Sequence, residues 1–176
     1  MGQRVETFGK GRKFFHWAIA AFLLFQIPFA WYMVDLPLAE KASPYNLHKS
    51  LGMVLFALGI GRLIWALFTP RPALDEPWPA KAFAKVLQAI LYIIVCLMPV
   101  SGWIMSSAAG LPPKLFGLVQ LPAIWATDPD AVEGFRRMHE LQSWILLGAL
   151  SLHFLGAMRH HFILKNDVLR RMLPGK

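Results

Sequence analysis

The sequence predicts an all-α fold, a bundle of four transmembrane helices with both termini cytoplasmic, and three observations carry that prediction. Hydrophobic residues make up 56% of the chain and its mean hydropathy is +0.46, above the roughly 45–50% apolar content of an average soluble domain. The excess is gathered in four blocks of about twenty residues, enough at about 1.5 Å per residue to cross a hydrocarbon core of about 30 Å. The basic residues are shared unevenly between the loops these blocks create. With the N-terminus inside, the head, the second loop counted from Arg62 and the tail from Arg159 hold thirteen Lys and Arg, against five on the other side (Lys41, Lys49, Lys114, Arg136 and Arg137). The positive-inside bias therefore places both termini in the cytoplasm. Four crossings leave too little chain for a soluble unit, so residues 1–176 are expected to form a single transmembrane domain with the lipid bilayer as its first partner.

The first helix is expected over about 14–34, behind a head carrying Arg4, Lys10, Arg12 and Lys13. That head resembles a signal-peptide n-region, but the apolar stretch is too long and Pro28, Phe29, Trp31 and Tyr32 stand where small cleavage-site residues belong, which predicts an uncleaved helix. The second runs over about 47–68, after a loop with Pro37, Ser43 and Pro44, and stops at Thr69-Pro70-Arg71-Pro72. The third spans about 86–106, with a kink expected at Pro99. A connection from Ala108 to Asp128 follows; its apolar run from Leu115 to Leu121 is too short to span and is expected to lie on the membrane surface. The fourth helix, about 131–164, opens on the cap signal Asp128-Pro129 with Asp130 and Glu133 in its first turn, and is long enough to project beyond the bilayer.

Four of the six histidines fall at matching depths. His16 lies just inside the cytoplasmic end of helix one, and His48 just inside the outer end of helix two. Helix four carries His139 near its outer end and His153 fourteen residues later. At about 100° per residue that interval is four turns less about 40°, so both imidazoles share one face about 21 Å apart along the axis. Two sites follow, His48 with His139 outside and His16 with His153 inside. An interhelical pair of imidazoles without carboxylate or thiolate suits six-coordinate haem iron better than zinc, which takes four ligands. Gly52, Gly59, Gly61 and Gly156 lie where a porphyrin would need room, although close helix packing uses the same residues.

His160, seven residues beyond His153, is an alternative partner for His16. His153 is preferred because Arg159 marks the membrane edge, which leaves His160 for proton chemistry at the inner site or for headgroup contact. Arg62 follows His48 by fourteen residues on nearly the same face. An intramembrane charge costs about 2.5–3.5 kcal/mol at mid-helix, so it is expected to find a haem propionate or a quinone, or else to snorkel to the surface.

Other classes are excluded. Cys96 is the single cysteine, so no internal disulfide or CxxC motif exists. The formal charge of +8 comes without basic runs interleaved with aromatics, so nucleic acid is not an expected partner. A metal transporter would pair its histidines with intramembrane carboxylates, and the apolar blocks hold none beyond Asp35 and Glu140 at their edges.

Several motifs together resemble the bacterial cytochrome b561 family. They are Phe15-His16-Trp17, then Asn46-Leu47-His48-Lys49-Ser50-Leu51-Gly52, then Gly61-Arg62-Leu63 with Pro70-Arg71-Pro72. Met98-Pro99-Val100-Ser101-Gly102 follows, and His139, His153 and Arg159-His160-His161 complete the set. The resemblance implies a multi-pass protein of the bacterial inner membrane with two haem b, ligated by His16, His48, His139 and His153. It also implies an activity like that of the superoxide oxidase type, in which electrons from a small periplasmic donor, superoxide, pass through both haems to ubiquinone. Lys49, Arg136 and Arg137 would then steer the anion, and Arg62 and His160 would serve the quinone end. Other members with this fold are electron-transfer subunits of dehydrogenases or hydrogenases; a partner protein is not required for the first reading. The outer side is not net positive, because Asp35, Glu40, Asp128, Asp130, Glu133 and Glu140 offset its five bases.

Overall fold

The computed structural model describes residues 7–70 and 77–174; Arg4 of the basic head and Arg71-Pro72 of the second loop lie outside them. Four helices dominate: α1 (Lys10–Asp35), α2 (Ala42–Phe68), α3 (Trp78–Ala108) and α4 (Pro129–Met158). All four are long and apolar enough to cross a membrane. The shortest has 26 residues, about 39 Å of helix, more than the hydrocarbon core demands. Large apolar side chains such as Leu24, Leu67 and Phe68 are about four-fifths exposed. That is costly in water but suits a surface facing lipid.

All four helices begin earlier than hydropathy alone suggests, for two reasons. α1 includes the basic residues from Lys10, and α3 starts at Trp78, eight residues before the apolar run. Prolines account for the second reason. Pro79 lies in the first turn of α3 and Pro44 in the first turn of α2, where the amide hydrogen has no helical acceptor and its absence costs nothing. α1 passes through Pro28 and α3 through Pro99 without ending. α4 is capped by Asp128, whose Oδ1 accepts from the Ala131 amide at 3.2 Å.

Closely packed neighbours are α1 with α2, α2 with α3, and α3 with α4. Gly61 lets α1 approach α2: a Cβ there would sit 2.8 Å from Phe15. The core is a plug of Ile19, Leu23, Leu55, Ile94, Val95 and Leu146. Leu146 is midway between His139 and His153 in sequence, so this apolar layer separates the two histidine levels.

The connection from 108 to 128 folds as a hairpin. Its strands, β1 (Lys114–Leu115) and β2 (Val119–Gln120), pair antiparallel around Phe116 and Gly117, both at positive φ, a geometry that glycine adopts without strain. The hairpin seats on the start of α2: the Phe116 amide donates to Ser50 Oγ at 2.8 Å, and Lys49 Nζ donates to the Leu111 carbonyl at 3.0 Å. Ser50 is fully buried beneath it, while Phe116, Leu118 and Val119 stay exposed.

At the opposite end α4 finishes in a π-helical turn, Arg159–Ile163, closed by Leu164 N donating to Arg159 O at 3.0 Å. The chain then folds back to a short 3-10 turn, Arg170–Met172. Trp17 Nε1 donates to Met172 O at 2.8 Å and Lys13 Nζ to Leu173 O at 2.9 Å, so the described ends of the chain meet at one end of the bundle.

Candidate functional site

Both expected histidine pairs form. His16 of α1 and His153 of α4 have ring centroids 6.1 Å apart at 46°, and His48 of α2 and His139 of α4 are 6.4 Å apart at 81°. Imidazoles sharing an N–H···N hydrogen bond would have centroids about 5 Å apart, and no such bond joins either pair among the described residues. Two imidazoles on opposite sides of one metal, with metal–nitrogen bonds of about 2.0 Å, have centroids about 6.3 Å apart. The spacing of each pair therefore matches that of two imidazoles sharing one metal ion. Each pair also joins helices that are not close neighbours, α1 with α4 and α2 with α4.

The polar atoms around the rings point the same way. Nδ1 of His16 and Nδ1 of His48 are buried with no hydrogen-bond partner among the described residues. An orphaned buried polar atom costs about 1–3 kcal/mol, a penalty hard to justify in imidazoles that serve packing alone. Gln26, buried in α1, donates from Nε2 to the His48 carbonyl at 2.7 Å. His139 is held differently: its Nδ1 lies 2.9 Å from Ser101 Oγ. A Cβ on Gly102 would come within 3.2 Å of its ring. No group of three or more His, Cys, Asp or Glu able to hold a metal occurs among the described residues, so neither pair extends to a tetrahedral zinc set.

A cavity of about 420 Å³ opens around the His16–His153 pair, within the range of cofactor pockets. Arg62 is in its wall, donating from Nε to Tyr92 Oη at 3.1 Å with its guanidinium 4.9 Å from that ring. It therefore faces the bundle instead of snorkelling to the surface. Lys81, Lys85 and Gln88 add a polar margin on the α3 side, and Met172 closes the terminal end. His160 is not in that wall; its Nδ1 is within 3.2 Å of the Asn166 side chain.

Comparison with known proteins decides the family. The family model described as prokaryotic cytochrome b561 matches residues 7–175. The chain belongs to the prokaryotic cytochrome b561 family. Among curated proteins it is 28% identical over 176 residues to cytochrome b561 homolog 2 of Escherichia coli K12, covering 96% of this chain and 92% of the relative. It is 26% identical over 167 residues to the probable superoxide oxidase CybB of Yersinia pestis, covering 92% of each, and 25% identical over 181 residues to cytochrome b561 homolog 1 of Escherichia coli K12, covering 98% of this chain and 99% of the relative.

As a cytochrome b561 the chain is a multi-pass bacterial membrane protein that binds b-type haem and carries electrons. The residues present fit that group: paired imidazoles at the metal-bridging distance, orphaned ring nitrogens, and a cavity at the His16–His153 pair whose wall carries Arg62, Lys81 and Lys85, cations suited to propionates.

The charges at the His48–His139 end are arranged less simply than a steering patch. Arg136 is bound by Glu133 at 2.7 Å and Glu140 at 3.2 Å, and Arg137 by Glu133 at 2.8 Å, all on an exposed face. By helical phase Arg136 lies about 60° from His139, whereas Arg137 lies about 160° away. Lys49 is tethered to the Leu111 carbonyl. Sequence reasoning passed over Gln26, Tyr92, Lys81, Lys85 and the Ser101–Gln142 contact. Their signal was present in part, since Gln26 and Gln142 are amides inside apolar blocks, and such residues rarely lack a purpose in a membrane.

Proposed function

We propose that this cytochrome is a di-haem b oxidoreductase of the inner membrane that takes electrons from superoxide on the periplasmic side and delivers them to ubiquinone near its cytoplasmic termini. The observation that carries the reading is the pair of metal-wide histidine gaps at opposite ends of one helix, 6.1 and 6.4 Å between centroids. The family and the name of the Yersinia pestis relative support the reaction. A bound b haem supplies a one-electron couple at iron, which matches superoxide as a one-electron donor. Two superoxide anions, one quinone and two protons give two molecules of dioxygen and one quinol.

The chain's own residues serve this in stages. His48 and His139 hold the outer site, and His16 and His153 the inner one. The apolar plug around Leu55 and Leu146 excludes water between them. Arg62, steadied by Tyr92, meets a propionate or the quinone head from inside the bundle. His160, held by Asn166 outside the cavity wall, supplies protons from the cytoplasmic side. Lys49 and Arg136 border the outer pair and attract the anion, while Glu133 and Glu140 together offset the charge of Arg136 and Arg137.

That cancellation makes a prediction. Substituting Glu133→Gln frees Arg137 and leaves Arg136 to Glu140 alone, and is expected to raise the bimolecular rate with superoxide about two- to five-fold at low ionic strength, with a steeper salt dependence. Arg137→Gln, which removes a charge already paired and turned away, is expected to change it less than two-fold.

The decisive test of the reaction is rapid mixing of purified protein with superoxide and ubiquinone. Haem reduction and quinol formation faster than spontaneous dismutation are expected; reduction no faster than dismutation rejects superoxide as donor. The mixed-charge surface of Glu133, Arg136, Arg137 and Glu140 favours one second reading, an electron-transfer subunit docked to a soluble partner. A complex that reduces the haems only with that partner present would establish it.

A further inference from the structure

His139 differs from the other ligands in how its ring is held. Ser101 is 3% exposed on α3. Its Oγ lies 2.9 Å from His139 Nδ1, 2.6 Å from Gln142 Oε1 and 2.9 Å from the Met98 carbonyl. A hydroxyl has one proton to give. Gln142 Oε1 and the carbonyl can only accept, so that proton goes to one of them, and Ser101 has only lone pairs left for the imidazole. Nδ1 of His139 therefore carries its own proton and donates it, shared between Ser101 Oγ and the Met98 carbonyl, which leaves Nε2 unprotonated and available to a metal. Gly102 stands at the ring edge and fixes its plane. Nδ1 of His16 and of His48 has no such partner among the described residues.

We propose that Ser101, backed by Gln142, is a positioning residue that locks the tautomer of His139 and lowers the reduction potential of the outer haem alone. The inference rests on the proposed ligation by His48 and His139. An imidazole that donates from Nδ1 is a stronger electron donor through Nε2, and a stronger donor favours ferric over ferrous iron. Removing Ser101 takes away one of the two acceptors of the ring proton and should shift the outer site toward the reduced form while leaving the inner site unmoved, because the apolar plug and about four helical turns separate them.

The test is an optical redox titration of the holoprotein in detergent for wild type, Ser101→Ala, Ser101→Thr and Gln142→Leu. Ser101→Ala is expected to retain both haems and to move one titration wave upward, a three- to ten-fold change in the reduction equilibrium, up to about 59 mV for one electron. Ser101→Thr, which keeps the hydroxyl, should restore the wild-type wave. Two waves that coincide with wild type in Ser101→Ala overturn the proposal. Should Ser101→Ala lose the outer haem, Gln142→Leu decides: a smaller upward shift of the same wave supports the assignment and an unmoved wave rejects it. A wild-type protein without two b-type waves would instead sink the ligand assignment, before Ser101 is reached.

Discussion

Replacing His153 by alanine is expected to reduce the haem content of the purified protein from two per chain to one, with the remaining spectrum that of the outer site. His153 faces His16 across a 6.1 Å gap and forms part of the wall of the 420 Å³ cavity. Its loss leaves five-coordinate iron at best, in a pocket no other described histidine enters. His160, the rival ligand by sequence phase, lies outside that wall and is bonded to Asn166. His160→Ala should accordingly keep both haems. Because the inner haem binds only the folded bundle, its loss should also lower the thermal transition by mass action. Retention of both haems in His153→Ala, or loss of one in His160→Ala, would reverse the pairing at that end.

Gly102→Val is expected to expel the outer haem while sparing the inner one. A Cβ at this position already meets the His139 ring edge at 3.2 Å, and the γ-methyl groups of valine reach further into the same space. Overpacking of this kind costs about 1–3 kcal/mol. The least resistant element is the imidazole, which swings off the line joining it to His48. The haem-to-protein ratio should fall from two to one, and Gly102→Ala should give a weaker effect in the same direction. Gly148 provides the control, since nothing lies within 4 Å of a Cβ built there; Gly148→Ala should leave the ratio unchanged.

The parts of this molecule that follow from one-dimensional periodicity were legible. Hydropathy marks four spans because lipid selects apolar residues along the whole width of a crossing. The fourteen-residue interval between His139 and His153 settles their common face because helix geometry is nearly invariant. Properties that depend on contact between segments were not legible. Pro79 reads as a breaker until its place in the first turn of α3 is known, and the charges of Lys81 and Lys85 keep Trp78 to Lys85 from registering as part of a span. The run from Leu115 to Leu121 looked like a surface segment, but its pairing is set by a turn at Phe116 and Gly117 and by a seat on Ser50, sixty-six residues from Phe116. Arg62 was conspicuous as a charge, whereas its partner Tyr92 lies on another helix. The Ser101–His139–Gln142 contact joins α3 to α4 across two helices, and only packing reveals it. Opposing Glu133 to both Arg136 and Arg137 was readable from i, i+3 and i, i+4 spacing, yet counting charges by side conceals it.

The central claim is that two histidine pairs each hold one six-coordinate haem, and one measurement addresses it most directly. Purified ferric protein should be quantified for b-type haem per chain and then examined by low-temperature electron paramagnetic resonance. Two haems per chain are expected, with two distinguishable low-spin signals, because the ring planes meet at 46° in one site and 81° in the other. One haem per chain, or a high-spin signal that persists in fully loaded protein, would contradict it.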